Sequence, residues 1–212
     1  MNIPDNFQVI DHALIQHKLG LIRDKNTRSK QFRELVTEAT MLLAYEATKD
    51  LTLNDAEVQT PITTAQVKTV AVADIILVPI LRAGLGMVEG MLKLIPNARV
   101  GYVGMERDHE THQPVDYYFK IPNQAHKRTF IVLDPMLATG GTIIAAVDKL
   151  KDLGADSIMC ICIICAPEGM EAFCLQHQDV KVYTGSLDDH LNSSKYIVPG
   201  LGDAGDRLFG TD

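Results

Sequence analysis

The 212-residue chain has few cysteines, no long apolar run and no excess of positive charge. Lys and Arg number 20 against 27 Asp and Glu, a formal net charge of −7. Phosphate backbones want clustered cations, so this balance argues against a nucleic-acid surface and leaves room only for a local basic pocket. The longest apolar runs, such as IILVPIL, fall far short of the ~20 residues that cross a bilayer. The N-terminal stretch carries Asp5 and Asp11 and no long apolar segment, so no signal peptide is expected. No repeat or low-complexity tract is visible. These absences predict a soluble, cytoplasmic protein with no membrane partner. Three of the four cysteines, Cys160, Cys162 and Cys165, fall in the apolar run SIMCICIIC. Strand alternation predicts Cys165 on the face opposite Cys160 and Cys162, a poor metal geometry. These three read as buried, inert core cysteines, Cys174 adds nothing to a definable site, and a disulfide framework is not expected.

Hydrophobic residues make up 46% and charged residues 22%, an ordinary globular balance. A chain of this length can bury about 70% of its unfolded surface. From Ser29 to Lys49 the apolar residues Phe32, Leu35, Val36, Ala39, Leu42 and Leu43 recur at helical spacing, with Ser29 as the expected N-cap. DIILVPIL reads as a strand buried on both faces, MVEGMLKLI as a short helix and ARVGYVGM as a second strand. FIVLD is a third strand, followed by a helix from Gly140 that Gly154 closes. SIMCICIIC, a helix opened by Pro167, and DVKVYT complete the alternation. The predicted fold is α/β, a parallel sheet with helices on both faces, and ligands on such sheets bind at the carboxyl ends of the strands.

Two stretches break the rhythm. Residues 107–128 are polar, aromatic and too long for an idle connection, and read as a hairpin arm or a lid. Within them His109 and His112 read as solvated, while Tyr117, Tyr118 and Phe119 would cover a site or meet a second subunit. The C-terminal YIVPGLGDAGDRLFGTD offers a short strand at Tyr196–Val198, and its glycines and proline predict no regular helix.

The stretch FIVLDPMLATGGTIIAAV, residues 130–147, runs from strand through tight loop to helix N-terminus. The first N–H groups of a helix have no intrahelical partner and its dipole favours anions. Gly140 and Gly141 let main chain approach closely, Thr139 and Thr142 add hydroxyls, and together they read as a phosphate cradle. The Lys of G-x-x-x-x-G-K-[ST] and the spacing of G-x-G-x-x-G are both missing. Asp134, at the strand end, is placed to accept hydrogen bonds from a ribose diol. The plainer alternative is a tight turn with Asp134 as a helix cap.

VLDPMLATGGT resembles the phosphoribosyl-diphosphate (PRPP) signature of the type I phosphoribosyltransferases. Its Asp-Pro-Met-Leu-Ala-Thr-Gly-Gly form is similar to that of the uracil phosphoribosyltransferases. HKLGLIR at 17–23, VPILRAGLGM at 78–87 and YIVPGLGDAGDRLFGT at 196–211 resemble the same family. The resemblance therefore runs almost end to end. It implies a single type I phosphoribosyltransferase domain over 1–212, with an arm or lid near 107–128 and a uracil-recognition segment at 183–212. It implies that Asp134, Pro135, Met136, Leu137, Ala138, Thr139, Gly140, Gly141 and Thr142 hold the ribose and 5-phosphate of PRPP. Arg82 and Arg107 would meet the diphosphate, Asp203 would contact PRPP near the reacting centre, and Ile197, Gly202, Asp203 and Ala204 would read uracil. Asp134, Arg82 and Asp203 are the implied catalytic residues. Many enzymes of this class carry two adjacent acids at the signature, whereas Pro135 follows Asp134 here, as in the uracil enzymes. Mg²⁺ is therefore expected to be held mainly through PRPP itself, without a protein metal site.

The implied activity is transfer of the PRPP ribosyl group to uracil, giving UMP and diphosphate in pyrimidine salvage. Two readings of another class stay open: a pyrimidine-responsive RNA-binding regulator and a non-catalytic nucleotide-sensing module. The resemblance also implies a homo-oligomer, dimer or tetramer, and names GTP as a candidate activator.

Overall fold

The computed structural model describes residues 2–71, 74–107, 114–122, 126 and 128–211, apart from the side chains of residues 106, 107 and 114–116. The chain opens with strand β1 (Phe7–Val9), helices α1 (Ala13–Arg23) and α2 (Ser29–Ala47), and the antiparallel hairpin of β2 (Leu53–Gln59) and β3 (Thr64–Val70). Strand β4 (Ile75–Leu81), helix α3 (Leu85–Leu94), β5 (Arg99–Val100), β6 (Tyr102–Arg107) and β7 (Pro114–Lys120) follow. The second half holds β8 (Thr129–Leu133), β9 (Met136–Leu137), α4 (Gly141–Asp152), β10 (Ser157–Cys165), α5 (Pro167–Gln176) and β11 (Lys181–Leu187). It ends with the two-stranded β12 (His190–Leu191) and β13 (Ile197–Val198), then α6 (Ala204–Phe209).

The main sheet runs β1-β11-β10-β8-β4-β6-β7, with β5 beside β4 and β9 beside β10. Every pairing in it is parallel except β6 with β7. The alternation along β8 shows why both faces must be covered. Phe130 and Val132 point into one apolar cluster with α4 and α5, and Ile131 and Leu133 into another with α1, α2, α3 and α6. All four are fully buried, as apolar runs in parallel strands require.

Each strand and helix expected over residues 29–49 and 74–184 forms, within a few residues at each end. Gly154, at φ +82°, closes α4 as expected. Several details differ. The N-cap of α2 is Arg28, in extended conformation, and Ser29 is already inside the helix. ARVGYVGM divides at Gly101, whose N–H donates to Leu77 O at 2.9 Å. A helix does form in the C-terminal segment: Gly200 and Gly202 precede α6 and Gly210 ends it at φ +67°, leaving only Gly205 inside. Buried Ala204 and Leu208 anchor that short helix to the core.

Cys165 also departs from expectation. Ile163 and Ile164 both donate their N–H groups to Pro135 O, at 3.0 and 3.1 Å, so two consecutive residues oppose one. This is the geometry of a β-bulge, and it slips the alternation by one residue. Ile161, Ile163 and Ile164 consequently face one cluster while Cys160, Cys162 and Cys165 share the other. All four thiols are buried and unpaired by disulfides, as expected for the three of SIMCICIIC.

In the 107–128 stretch, β7 returns antiparallel to β6, so the described part is a hairpin arm. Tyr117 and Tyr118 are exposed on it. His109 and His112 lie outside the described residues.

Candidate active site

The β8 strand delivers Asp134 to the carboxyl edge of the sheet. Asp134 Oδ1 accepts the Met136 N–H at 3.1 Å, which turns the chain sharply as Pro135 restricts it. Met136 and Leu137 then pair briefly with β10, and Leu137 O accepts the Ala166 N–H at 2.9 Å. Gly140 takes the left-handed conformation, φ +87°, which only glycine adopts without strain, and Gly141 opens α4 directly after it. Asp134, Met136, Leu137, Ala138, Thr139, Gly140, Thr142 and Ile143 line one small cavity of about 50 Å³. Pro135 is buried behind it, and Gly141 has open space where a Cβ would stand.

Burial pushes the Asp134 carboxyl up from 3.8 to about 7, with the Met136 N–H partly opposing the shift. A carboxylate poised there changes charge near neutral pH, a common property of groups that work at a site. Gly169, in α5, closes the cradle from behind. A Cβ on it would lie 2.4 Å from Ala138 O and 2.8 Å from Leu137 O, so only hydrogen allows α5 to support the loop this closely. The sequence reading missed this residue, although an isolated glycine inside a helical pattern is a recognisable signal of close approach.

The loop after β4 is pressed onto the end of β8. A Cβ on Gly84 would stand 2.3 Å from Leu133 O, one residue before Asp134. This loop also carries Arg82, which is exposed and reaches toward α6: Nη2 lies 3.4 Å from Asp206 Oδ1 and Nη1 3.4 Å from Thr211 Oγ1. At the start of α6, Asp203 accepts the Asp206 N–H at 2.9 Å and so caps the helix. Arg82 Nη2 and Asp203 Oδ1 both lie within 4 Å of a Cβ built on Gly205. The 82–84 loop therefore joins the end of β8, where the 134–142 loop begins, to the C-terminal segment. Ala204 and Ile197 are buried, and Gly202, at φ +81°, is exposed beside exposed Asp203. The side chain of Arg107 lies outside the described residues; its backbone ends β6, beyond the point where Leu81 pairs with Gly104.

A larger cavity, about 460 Å³, lies at the other end of the sheet, where β4, β8, β10 and β11 begin. Asp50, Asp74, Asp156 and Asp179 line it against a single Lys181. That acidic ring would repel a phosphorylated ligand, and the amino ends of parallel strands are not where such sheets bind.

The profile of the Uracil phosphoribosyltransferase family matches residues 9–211. A relative named uracil phosphoribosyltransferase from Agathobacter rectalis is 59% identical over 203 residues, 96% of this chain and 97% of that one. Another of the same name, from Desulfitobacterium hafniense, is 58% identical with the same coverage. Among solved structures, a protein from Aquifex aeolicus superposes with a TM-score of 0.93 at 37% identity, covering 97% of this chain and 99% of that one. The hypoxanthine phosphoribosyltransferase of Trypanosoma cruzi, at 10% identity and a TM-score of 0.52, shares the fold alone, over 75% of this chain and 76% of that one. A cradle at the end of β8 and a near full-length match at this identity lead to one conclusion: the chain belongs to the uracil phosphoribosyltransferase family.

Proposed function

We propose that the protein transfers the 5-phosphoribosyl group of PRPP to N1 of uracil, releasing UMP and diphosphate. The cradle at 134–142 is the observation that carries this reading. The 5-phosphate would sit at the N-terminus of α4, held by main-chain N–H groups and the hydroxyls of Thr139 and Thr142. Asp134 would accept hydrogen bonds from the ribose hydroxyls, a role its ionised form serves best.

As the C1–O bond stretches, the ribose gains oxocarbenium character and the departing diphosphate gathers negative charge. Arg82 and Arg107 are assigned to that charge, where guanidinium donors favour the transition state over the ground state. Among the described residues no cluster of three His, Cys, Asp or Glu is arranged to hold a metal, and Asp134 is followed by a proline. This donor set suits a Mg²⁺ carried in by the diphosphate and water oxygens, which would neutralise part of the leaving-group charge.

Uracil presents two carbonyl acceptors and an N3–H donor away from N1. Main-chain groups of Ile197 and of Gly202, Asp203 and Ala204 are assigned to that edge, with Asp203 also turned toward PRPP. Cytosine would set donor against donor there, and each opposed buried polar group costs about 1–3 kcal/mol. The 107–128 arm is the proposed lid, since a ribosyl cation must be shielded from water. A single domain over 1–212, with base recognition from 183 onward, organises these parts.

Exposed Leu53, Val58 and Ile62 on the β2–β3 hairpin support a homo-oligomer. No helix among the described residues is long and apolar enough to cross a membrane. A cytoplasmic location rests on the sequence reading alone. A GTP activator rests on the family resemblance alone. UMP formation from uracil, PRPP and Mg²⁺ tests the reading, with cytosine, hypoxanthine and orotate in parallel. Turnover with uracil alone is expected. Turnover with another base instead would overturn the base assignment, and none with any base would overturn the activity.

A further inference from the structure

The base-reading segment carries few side chains able to aim it, so something must hold its main chain. Asp188, just beyond β11, is buried with its side chain 1% exposed. Its own N–H donates to Cys165 O at 2.8 Å, tying it to the end of β10. Asp188 Oδ2 accepts the Gly200 N–H at 2.9 Å. Arg23, the last residue of α1, forks onto the same carboxylate, Nη1 to Oδ2 at 2.7 Å and Nη2 to Oδ1 at 2.6 Å. Arg23 Nη1 also donates to Gly200 O at 2.7 Å. Ser186 completes the ring, donating to Asp188 Oδ1 at 2.7 Å and accepting from Arg23 Nη2 at 3.1 Å.

Both main-chain groups of Gly200 are thus taken by one ion pair, whose carboxylate is buried and whose guanidinium is partly buried. The next carbonyl, Leu201 O, is held at 2.7 Å by Arg207 Nη1, which also donates to Ile22 O at 2.6 Å. Gly200 itself sits at φ +64°, and a Cβ there would stand 2.1 Å from Ile197 O. Two guanidinium groups bound to the end of α1 therefore fix residues 200 and 201, immediately before Gly202.

We propose that Arg23 and Asp188 are positioning residues for base recognition, acting through Gly200 to hold the 202–204 main chain at the spacing that distinguishes uracil from cytosine. This rests on the assignment of Ile197 and 202–204 to the base. Main-chain readers cannot re-aim by changing rotamer, so selectivity depends on how rigidly the backbone is held. A forked guanidinium–carboxylate pair supplies that rigidity because it fixes orientation as well as distance, which a lysine cannot. The alternative, a clamp that serves stability alone, predicts loss of thermal stability with selectivity untouched.

The test compares the parent protein with Arg23→Lys, Asp188→Asn and the milder Ser186→Ala. For each, KM for uracil, KM for PRPP, the uracil-to-cytosine ratio of kcat/KM and Tm are measured. For Arg23→Lys and Asp188→Asn the expected result is a rise of about tenfold in uracil KM and a matching fall in the ratio, with PRPP KM within about twofold. Ser186→Ala, which removes only the outer bonds, should move both in the same direction by a smaller factor, and keeps the test open if the other two fail to fold. An unchanged uracil-to-cytosine ratio in the folded variants would overturn the proposal, as would equal losses toward uracil and PRPP. Failure of the parent protein to use uracil would overturn the functional reading instead, which separates the two.

Discussion

Arg82 Nη2 lies 3.4 Å from Asp206 Oδ1, joining the loop after β4 to a helix 124 residues later in the chain. The contact is long and the arginine side chain is 57% exposed, so the pair contributes on the order of 0–1 kcal/mol. Under the proposed mechanism, so weak a tether would hold the guanidinium in place until a diphosphate competes for it. Arg82→Ala is expected to lower kcat by roughly 100-fold or more, with uracil KM within a few-fold, measured by steady-state kinetics. A defect confined to uracil KM would remove Arg82 from the diphosphate. Asp206→Asn should leave Tm within about 2 °C.

Asp134 links the cradle to pH. Its folded value of about 7 stands above the ordinary 3.8 because burial penalises the anion. A raised value means that the stability tied to the protonated form is fully present below about pH 4 and is lost as pH rises through about 7. The difference in Tm between Asp134→Asn and the parent should therefore widen in favour of the variant from pH 4 to pH 8, then level off. A difference that does not change with pH would mean the carboxyl is not shifted. Asp134→Ala should fold and lose PRPP-dependent turnover.

Gly169 tests the support behind the cradle. Gly169→Ala places a methyl against Ala138 O and Leu137 O, both backbone, so one of the two elements must move. Overpacking of this kind costs about 1–3 kcal/mol, and the loop is the part with freedom to yield. PRPP KM should rise about tenfold while uracil KM changes less. An unchanged PRPP KM would show that α5 does not set the loop.

The four thiols make a simpler prediction. Burial raises Cys160 far above its ordinary range and Cys174 to about 11, and contact with Cys165 raises Cys162. Thiolates are the reactive species and all four side chains are buried from reagent, so all four should resist a disulfide reagent at pH 8 in the folded protein and react in denaturant. Rapid native reaction of any one would contradict the packing around β10.

Much of this molecule is visible in one dimension. Apolar runs with both faces buried identify β4, β8 and β10, and Gly154 and Pro167 bound helices as their local chemistry requires. The cradle is legible because strand end, carboxylate, paired glycines and helix start are consecutive. Other elements left weaker traces. The α1 helix appeared only as the stretch HKLGLIR with no role attached, and the β2–β3 hairpin, mostly exposed, has no apolar run to mark it.

The sequence by itself determined the alternation of strands and helices, the strand–loop–helix turn at 134–142 and the family, because each is a pattern among neighbours. Only the tertiary structure decided that Pro135 O takes two N–H groups and brings Cys165 round to the face of Cys160 and Cys162. It alone decided that Gly169 meets the cradle and that Arg82 faces Asp206. It also brought Arg23 onto Gly200, 177 residues away. Contacts at such separations depend on how the sheet and its two helical layers stack. No local periodicity encodes that stacking; it is fixed when the buried faces are brought together.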